Sequence, residues 1–467
     1  CMTEAINGVL VALINFLFGP IMLCVYFGVG IMMTIRLRGV QFRRFGMAFR
    51  ECVGNIGGKD ENGKEVGQIK SFKALATALS SCVGNGNIVG IAAAIAIGGP
   101  GAIFWMWVAS LLGMATKFSE ICLAMHYRIQ DEAGNFRGGV MYILSRGMKN
   151  KTLGKILGGA FAVFTVMVSF ISCGALQANT IANSLNGETG IGIPLWVVAI
   201  VVLVLDGLVV CGGLKKIANV TTVLTPVMAL IYIGFSLIII ILHANMIPTA
   251  IYYVVKSAFT GDAAVGGVAG ATMAFAIQKG VSRGVFSNEA GIGSSAIVHA
   301  TAIVDKPTRQ SLYGIIEVFF DTMVICTVTS LLILTTGVWN SGVTDGTALA
   351  SMAFQMNFGS FGNVIMMISL LLFCFSTMFG WYTYGESAFA FLFGAKSVIV
   401  FRVMHCVICS LGALVSVSIM WNAADVANGL MALPNLLSLF LFGGVVVKDA
   451  KEFFDEYDRT HKKGAAS

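Results

Sequence analysis

Long apolar stretches recur along the whole chain, and short polar or charged segments separate them. A helix needs about 20 mainly apolar residues to cross a bilayer. We predict eleven transmembrane helices, at 6–34, 72–97, 102–127, 156–183, 194–211, 220–242, 267–302, 312–336, 362–393, 398–420 and 425–447. The runs Ile200–Leu205 and Leu230–Leu242 lack the alternating polarity of a membrane β-strand. The pattern therefore predicts an all-α polytopic membrane protein.

The positive charges lie almost entirely on one side of these predicted helices. Of the 30 Lys and Arg residues, 26 fall in six segments that share this side: 35–73, 128–155, 212–219, 303–311, 394–402 and 448–467. Cytoplasmic loops are enriched in Lys and Arg. With eleven spans, we predict an N-terminus outside the cell (inner) membrane and a C-terminus in the cytoplasm. The net charge of +7 then reflects topology and not binding to nucleic acid.

Composition excludes most other classes of protein. The chain is 57% hydrophobic and 11% charged, whereas soluble domains carry about 25% charged residues. Such a chain cannot cover a water-facing surface, which excludes a soluble enzyme, a disulfide scaffold and a disordered protein. The cysteines lie mostly within predicted spans and are interpreted as small apolar residues. Cys406 and Cys409, beside His405, have the spacing of a redox or metal motif but lack a second pair of ligands.

Two predicted spans contain residues that interrupt helices near their centres. The second span has the run Gly84–Asn87 in its middle, and the seventh contains Gly280, Gly284, Asn288 and Gly291. Unpaired backbone groups at membrane depth cost several kcal/mol each, so such breaks persist where they line a cavity or bind a ligand. In transporters, paired broken helices indicate the binding site. The alternative is that these glycines only allow close helix packing.

The positions of the two breaks predict an inverted repeat. If the first span is set aside, the broken spans become the first and sixth of ten helices, and each opens a block of five. An odd number of spans per block gives the second block the opposite orientation, as an inverted repeat requires. We predict an extra helix with a cytoplasmic basic loop at 1–71, repeats at 72–242 and 262–447, and a cytoplasmic tail at 448–467.

The ends of broken helices suit opposite charges. Free N–H groups and the partial positive charge at a half-helix N-terminus favour a carboxylate. Carbonyl groups at a half-helix C-terminus favour Na⁺ or an ammonium group. A small zwitterion beside a cation fits both kinds of end.

Three motifs carry a family resemblance: GNGNIVG at Gly84–Gly90, GGPGAIFWMW at Gly98–Trp107 and SRGVFSNEAGIGS at Ser282–Ser294. They resemble the alanine or glycine:cation symporter family, the sodium:alanine symporters, and the resemblance covers essentially the whole chain. It implies membership of the amino acid–polyamine–organocation superfamily and a leucine-transporter-type fold with two inverted five-helix repeats. It also implies Na⁺-coupled uptake of alanine or glycine, with H⁺ coupling or a preference for glutamine left open.

The resemblance further implies a sodium site between the first break and the eighth of the ten helices. Na⁺ prefers oxygen ligands. The hydroxyl groups of Ser376 and Thr377, together with the carbonyl groups of Ser80, Val83 and Phe373, would form a neutral site of five oxygens. The alternative is that each hydroxyl binds a carbonyl of its own helix.

The substrate site is expected beside this cation site. The N–H groups around Gly84 could take the carboxylate, and the Gln177 amide can both donate and accept hydrogen bonds. Trp381 lies one turn from Thr377 and could cap the pocket, while Asn87 could bind a ligand or cap the second half-helix. The predicted substrate-binding residues are Cys82, Gly84, Asn85, Gly86, Asn87, Gln177, Phe275, Ile277, Gln278, Gly280, Thr377 and Trp381.

Charged residues within the predicted spans are candidates for function. Five of them could form a gate that closes the cytoplasmic side: Lys279, Arg283, Glu289, Glu317 and Asp321. The alternative is a static network of ion pairs that holds the helices together.

Two other functions compete with transport. An intramembrane enzyme is disfavoured because HExxH, GxGD and phosphate-loop motifs are absent from the sequence. An ion channel is disfavoured because there is no continuous polar stripe or repeated filter motif. We therefore predict a secondary active transporter that works by alternating access. Its expected partners are a small neutral amino acid, Na⁺ and the lipid bilayer, and we expect a monomer.

Overall fold

The computed structural model of the chain describes residues 2–54, 67–186, 192–260, 273–415 and 418–464. Within these ranges the chain is almost entirely helical. Its α-helices are α1 Met2–Leu17, α2 Pro20–Arg36, α3 Val40–Arg43, α4 Phe45–Gly54, α5 Ser71–Cys82, α6 Ile91–Gly98, α7 Gly101–His126, α8 Val140–Gly147, α9 Lys151–Phe170, α10 Leu176–Asn186, α11 Leu195–Val210, α12 Gly213–Leu242, α13 Ile247–Thr260, α14 Met273–Asn288, α15 Ala296–His299, α16 Pro307–Val318, α17 Thr327–Thr335, α18 Gly346–Phe358, α19 Ser360–Phe393, α20 Val398–Gly412 and α21 Ser418–Gly464.

Seven of these described helical segments are long and apolar enough to cross a membrane, and nine spans result if two bent helix pairs are each counted once. One bent pair is α1 with α2, at 40°, and the other is α5 with the helix that follows it, at 51°. Helix α11, with 16 residues, falls below the length of these spans. The polytopic helical class is confirmed, and the count of eleven spans and the two repeats stay predictions.

Three π-helical segments interrupt the helices where polar side chains face the interior. They are Gly86–Gly90 before α6, Ile171–Ala175 before α10 and Phe319–Cys326 before α17. π-Helical turns are frequent at functional sites, because they turn side chains away from the regular helical positions. The first two contribute residues to the wall of the cavity described below, and the third contacts that wall through the hydrogen bond from Ser287 to Asp321.

Two short strand pairs lie outside the helices. Ile69–Lys70 (β1) pairs in parallel with Ala302–Ile303 (β4), and Ile129–Gln130 (β2) pairs antiparallel with Phe136–Arg137 (β3). The β1–β4 pairing joins the segment before α5 to the segment after α15. This pairing therefore holds the segment that enters the first broken helix next to the segment that leaves the second.

The C-terminal segment is continuous with the last predicted span. Helix α21 crosses the boundary predicted at residue 448 without a break. Its end contacts the basic segment near the N-terminus, since Arg44 Nη2 lies 2.6 Å from Asp458 Oδ2 and the Arg44 guanidinium lies over the Phe454 ring. The positive charge of this segment is thus partly balanced by the chain's own C-terminal helix.

Candidate binding site at two helix breaks

The first break lies between α5 and the π-helical segment Gly86–Gly90. Val83 adopts a non-helical conformation, with φ −80° and ψ 89°. The Gly84 N–H donates to Asn87 Oδ1 at 2.9 Å, and the Asn87 N–H donates to the Gly84 carbonyl at 3.2 Å. These N–H groups would bind the Ser80 and Val83 carbonyls in a regular helix. A Cβ at Gly84 would lie 2.3 Å from Thr377 Oγ1, so this close approach requires glycine.

The freed carbonyl groups meet two hydroxyl groups of α19. Ser376 Oγ lies 3.2 Å from the Ser80 carbonyl oxygen, 3.4 Å from that of Val83 and 3.0 Å from that of Phe373. Thr377 Oγ1 donates to the same Phe373 oxygen at 3.0 Å, so both hydroxyl groups also bind a carbonyl of their own helix, as the alternative predicts. All five residues are buried. The structure therefore brings together the five oxygens expected from the sequence, in a neutral cluster whose chemistry suits Na⁺. We call it the oxygen cluster.

A small cavity of about 20 Å³ lies beside the oxygen cluster. That volume holds about one water molecule. Seven predicted substrate-binding residues line it: Cys82, Gly84, Asn85, Gly86, Gln177, Thr377 and Trp381. Six further residues, which were not among the predicted substrate-binding residues, also line it: Ser81, Cys173, Phe286, Ser287, Glu289 and Asn428. We call this space the central cavity.

Two amides on the wall of the central cavity are joined. Gln177 Nε2 donates to Asn85 Oδ1 at 3.1 Å, and Asn85 Nδ2 donates to Thr180 Oγ1 at 3.0 Å. Gln177 Oε1 is buried and has no hydrogen-bond partner within the described ranges. A buried acceptor without a partner costs about 1–3 kcal/mol. A ligand that donates a proton to this oxygen would remove that cost.

Glu289 contributes a carboxylate to the same wall. Its Oε1 accepts a hydrogen bond from Trp381 Nε1 at 2.8 Å, and its Oε2 accepts one from the Ser294 hydroxyl. The residue has a left-handed backbone, with φ 57°. Such conformations are uncommon for residues other than glycine and occur at functional sites. The two hydrogen bonds orient the carboxylate, and each oxygen keeps a lone pair for a further donor.

The second break lies further along the chain than predicted. Helix α14 is continuous from Met273 to Asn288, and the chain leaves it at Glu289, followed by Gly291 with φ 95° and Gly293 with φ 82°. The prediction that Phe275, Ile277, Gln278 and Gly280 flank the break is therefore wrong, because all four lie inside this helix. Phe286, Ser287 and Glu289 line the central cavity where those four residues were expected. In the sequence, the two closely spaced glycines after Glu289, Gly291 and Gly293, were the feature that could have indicated the correct position of the break.

Gly280 serves helix packing. A Cβ at Gly280 would lie 2.2 Å from the Ala102 carbonyl oxygen on α7. We expect Gly280→Ala to lower the free energy of unfolding by about 1–3 kcal/mol through overpacking. Gly159→Ala in α9 is the matched control, since a Cβ there would meet nothing within 4 Å. Thermal unfolding in detergent measures both, and a Gly280→Ala protein as stable as Gly159→Ala would contradict this interpretation.

Asn87 lies outside the central cavity and connects three elements. Its Oδ1 accepts from the Gly84 N–H, and its Nδ2 lies 2.6 Å from Asp321 Oδ1 and 2.9 Å from Ser287 Oγ. Ser287 in turn donates to Asp321 Oδ2 at 2.7 Å. The Asn87 side chain thus binds an N–H group that precedes it at the break, and the ligand-binding and capping roles both stay predictions. Through Asn87, the first break is held against the end of α14 and the π-helical segment that carries Asp321.

The structure separates the five residues predicted to form a cytoplasmic gate. Lys279 and Arg283 pack beside Gly98 and Gly90, in the half of the first broken helix that follows the break. Arg283 Nη2 lies 3.4 Å from Asp425 Oδ2. In the predicted orientation this half faces the outside, which does not agree with the prediction that these two residues belong to a cytoplasmic gate. With a break near Gly280 both residues were expected beside or beyond it, whereas both precede the break at Glu289.

Glu317 belongs to a buried network of charges. Lys117 Nζ lies 3.3 Å from Glu317 Oε1, and His299 Nε2 lies 2.9 Å from Glu317 Oε2. Lys117 also donates to Ser295 Oγ at 2.8 Å, and Cys82 Sγ lies 3.2 Å from Glu317 Oε1. These contacts join α7, α15 and α16 to the end of α5. The arrangement matches the alternative of an ion-pair network that holds the helices together.

Two other cavities have larger volumes than the central cavity. One, of about 280 Å³, is lined by residues near the β1–β4 pair, including Gln68 and Thr301. The other, of about 440 Å³, is lined by Val89 and by Trp421 near the start of α21. In the predicted orientation the first faces the cytoplasm and the second faces the outside. The central cavity, at about 20 Å³, is much smaller than either of them.

Comparisons with known proteins cover nearly the whole chain. The family model described as the sodium:alanine symporter family matches residues 3–466. The chain is 39% identical to the sodium/alanine symporter AgcS of Methanococcus maripaludis, over 97% of this chain and 98% of that protein. It is 34% identical to the probable sodium/glutamine symporter GlnT of Bacillus subtilis, over 96% of this chain and 90% of that protein.

A solved structure shares the fold. The crystal structure of MhsT in complex with L-phenylalanine superposes with a TM-score of 0.57 at 14% sequence identity, covering 80% of this chain and 89% of that one. At this identity the likeness concerns the fold alone. It confirms the predicted fold class of a leucine-transporter-type membrane protein.

Proposed function

Since the chain belongs to the sodium:alanine symporter family, we propose that it couples the inward flow of Na⁺ to the uptake of a small neutral amino acid, alanine or glycine. The chain is a multi-pass membrane protein of a transporter family and not of an enzyme family. We also propose that the N-terminus lies outside the cell membrane and the C-terminus in the cytoplasm.

The observation that carries the proposal is the position of Thr377. Its hydroxyl lies in the oxygen cluster, and the residue also lines the central cavity. A Na⁺ ion bound by the cluster would hold α19 against the first break and so fix the wall of the cavity. An amino acid in the cavity would in turn fix the same wall. Each ligand then raises the affinity for the other by the same factor, which is the coupling that symport needs.

The polar groups of the cavity suit the two ends of an amino acid. The carboxylate is assigned to the N–H groups of Asn85 and Gly86, where a helical segment begins and its dipole is positive. The ammonium group is assigned to Gln177 Oε1, which lacks a donor among the described residues, and to the Glu289 carboxylate. This assignment places charged groups of the substrate against partners of opposite charge.

The size of the cavity favours a small side chain. Its volume is about 20 Å³ in this structure, and Trp381 and Phe286 form part of its wall. The walls must separate to admit any amino acid, and a methyl group or a hydrogen requires the least separation. Glutamine, the substrate named for one relative, would require a much larger displacement of these rings.

A competition experiment tests the substrate. We expect unlabelled alanine and glycine to abolish uptake of labelled alanine by proteoliposomes containing the protein. Serine should compete partially, and glutamine at the same concentration should leave uptake nearly unchanged. Protein-free liposomes are the control. Stronger competition by glutamine than by alanine would contradict the assignment and favour a glutamine transporter.

A further inference from the structure

A second cluster of polar groups lies between α11 and α20, and none of its members lines the central cavity. One ligand-type atom from each of Asp206, His405 and Cys409 lies within 4.8 Å of the others. His405 Nε2 is 3.7 Å from Asp206 Oδ2. The side chains of all three residues are fully buried. His405 and Cys409 are four residues apart on α20 and share one helix face, and Asp206 meets them from α11.

The polar atoms of this cluster have few partners. Neither carboxylate oxygen of Asp206 nor either ring nitrogen of His405 has a hydrogen-bond partner of good geometry in the part of the chain that the structure describes. The Cys406 thiol, a weak donor, also faces the carboxylate. The aromatic rings of Phe170, Phe401 and Tyr382 surround the imidazole. An isolated carboxylate in such surroundings is costly unless it takes up a proton or a cation neutralises it.

We propose that Asp206, His405 and Cys409 bind a Zn²⁺ ion that holds two helices together, with a water molecule as the fourth ligand. Nitrogen, oxygen and sulfur ligands together are the set that zinc accepts, with metal–ligand lengths of about 2.0–2.3 Å. In a tetrahedral site two such ligand atoms lie about 3.3–3.8 Å apart. The 3.7 Å between His405 Nε2 and Asp206 Oδ2 fits this spacing, and a pair of atoms as far apart as 4.8 Å would have to approach by about 1 Å. Zinc is favoured over Mg²⁺ and Ca²⁺, which bind oxygen ligands alone.

Charge balance supports the assignment. A carboxylate and a thiolate carry two negative charges, and the imidazole binds in its neutral form. With Zn²⁺ the site is neutral overall, which suits a position deep within a helical membrane protein. On binding, the Cys409 thiol releases its proton, and a protonated Asp206 carboxyl group or a His405 imidazolium would each release one as well. The ion would hold α11 against α20.

The metal content of the full-length protein tests the site. The protein is purified without chelator, through a tag that contains no histidine, from cells grown with added zinc, and its metals are measured by mass spectrometry. We expect about one zinc per chain in the wild type, and at least a fivefold lower content in Cys409→Ser and in Asp206→Asn. Cys374→Ser is the matched control, since Cys374 is equally buried and lies outside the cluster; it should keep its zinc.

A spectroscopic measurement separates ligation from simple loss of folding. Cobalt substituted for zinc in the wild type should give a thiolate-to-metal charge-transfer band, and this band should be absent from cobalt-loaded Cys409→Ser. Zinc at background level in the wild type, or a zinc content unchanged in both ligand variants, would overturn the proposal and leave a metal-free ion pair. The wild-type zinc content and cobalt band need no variant, so the proposal stays testable even if the variants misfold.

Discussion

Replacing Thr377 with alanine is expected to raise the Na⁺ concentration that gives half-maximal alanine uptake by roughly 10- to 100-fold. A ligand or hydrogen bond to a charged group contributes about 1.5–3 kcal/mol, which corresponds to this factor. Thr377 Oγ1 is a member of the oxygen cluster, 3.0 Å from the Phe373 carbonyl oxygen. Uptake measured in proteoliposomes over a range of Na⁺ concentrations gives the value.

Two control variants distinguish ion binding from a general loss of stability. Thr377→Ser keeps the hydroxyl group and should keep most of the Na⁺ affinity. Thr165→Ala removes a buried hydroxyl of the same kind, which donates to the Phe161 carbonyl of its own helix at 2.8 Å. That variant should retain the wild-type Na⁺ dependence. If Thr377→Ala and wild type require the same Na⁺ concentration, the oxygen cluster does not bind the coupling ion.

Replacing Glu289 with glutamine is expected to raise the alanine concentration for half-maximal uptake by at least roughly 30-fold. Removing one partner of a buried charge pair costs about 2–5 kcal/mol or more. The glutamine oxygen can still accept the Trp381 hydrogen bond that orients the side chain, so the change removes the charge while it keeps the shape. Uptake at saturating Na⁺ over a range of alanine concentrations measures the effect.

A second buried glutamate near the same break provides the comparison. Glu120 Oε1 accepts from the Gly291 N–H at 2.7 Å and from Asn435 Nδ2 at 2.6 Å, and Glu120 does not line the central cavity. Glu120→Gln keeps an oxygen for both bonds and should leave the affinity for alanine unchanged, whatever its effect on stability. Equal losses of alanine affinity in the two variants would show that Glu289 acts through the fold and not through the ammonium group.

The first break could be predicted because glycine and asparagine in the middle of an apolar span disfavour a continuous helix. Gly84 and Asn87 sit in the middle of an apolar span, where helix-breaking residues are retained only for binding or close packing. The neighbouring hydroxyl pair Ser376 and Thr377 could be matched to this break through the family resemblance. The structure brings all five oxygens of that expectation together.

The second break was misplaced because the sequence does not say what each glycine does. Gly280 permits contact between α14 and α7, whereas Gly291 and Gly293 adopt positive φ values that glycine accommodates without strain. Both kinds of glycine look alike in an apolar run. The proximity of Asp206 and His405 could not be predicted from the sequence either, because it depends on how two helices far apart in the sequence pack together.

The central claim is that a Na⁺ gradient drives uptake of alanine by this protein, and proteoliposomes test it most directly. Labelled alanine is offered with an inward Na⁺ gradient, with an inward K⁺ gradient of the same size, and with an inward H⁺ gradient in the absence of Na⁺. We predict accumulation above the external concentration only with the Na⁺ gradient. Equal accumulation with the H⁺ gradient in Na⁺-free buffer, or uptake that is the same under all three conditions, would contradict the account.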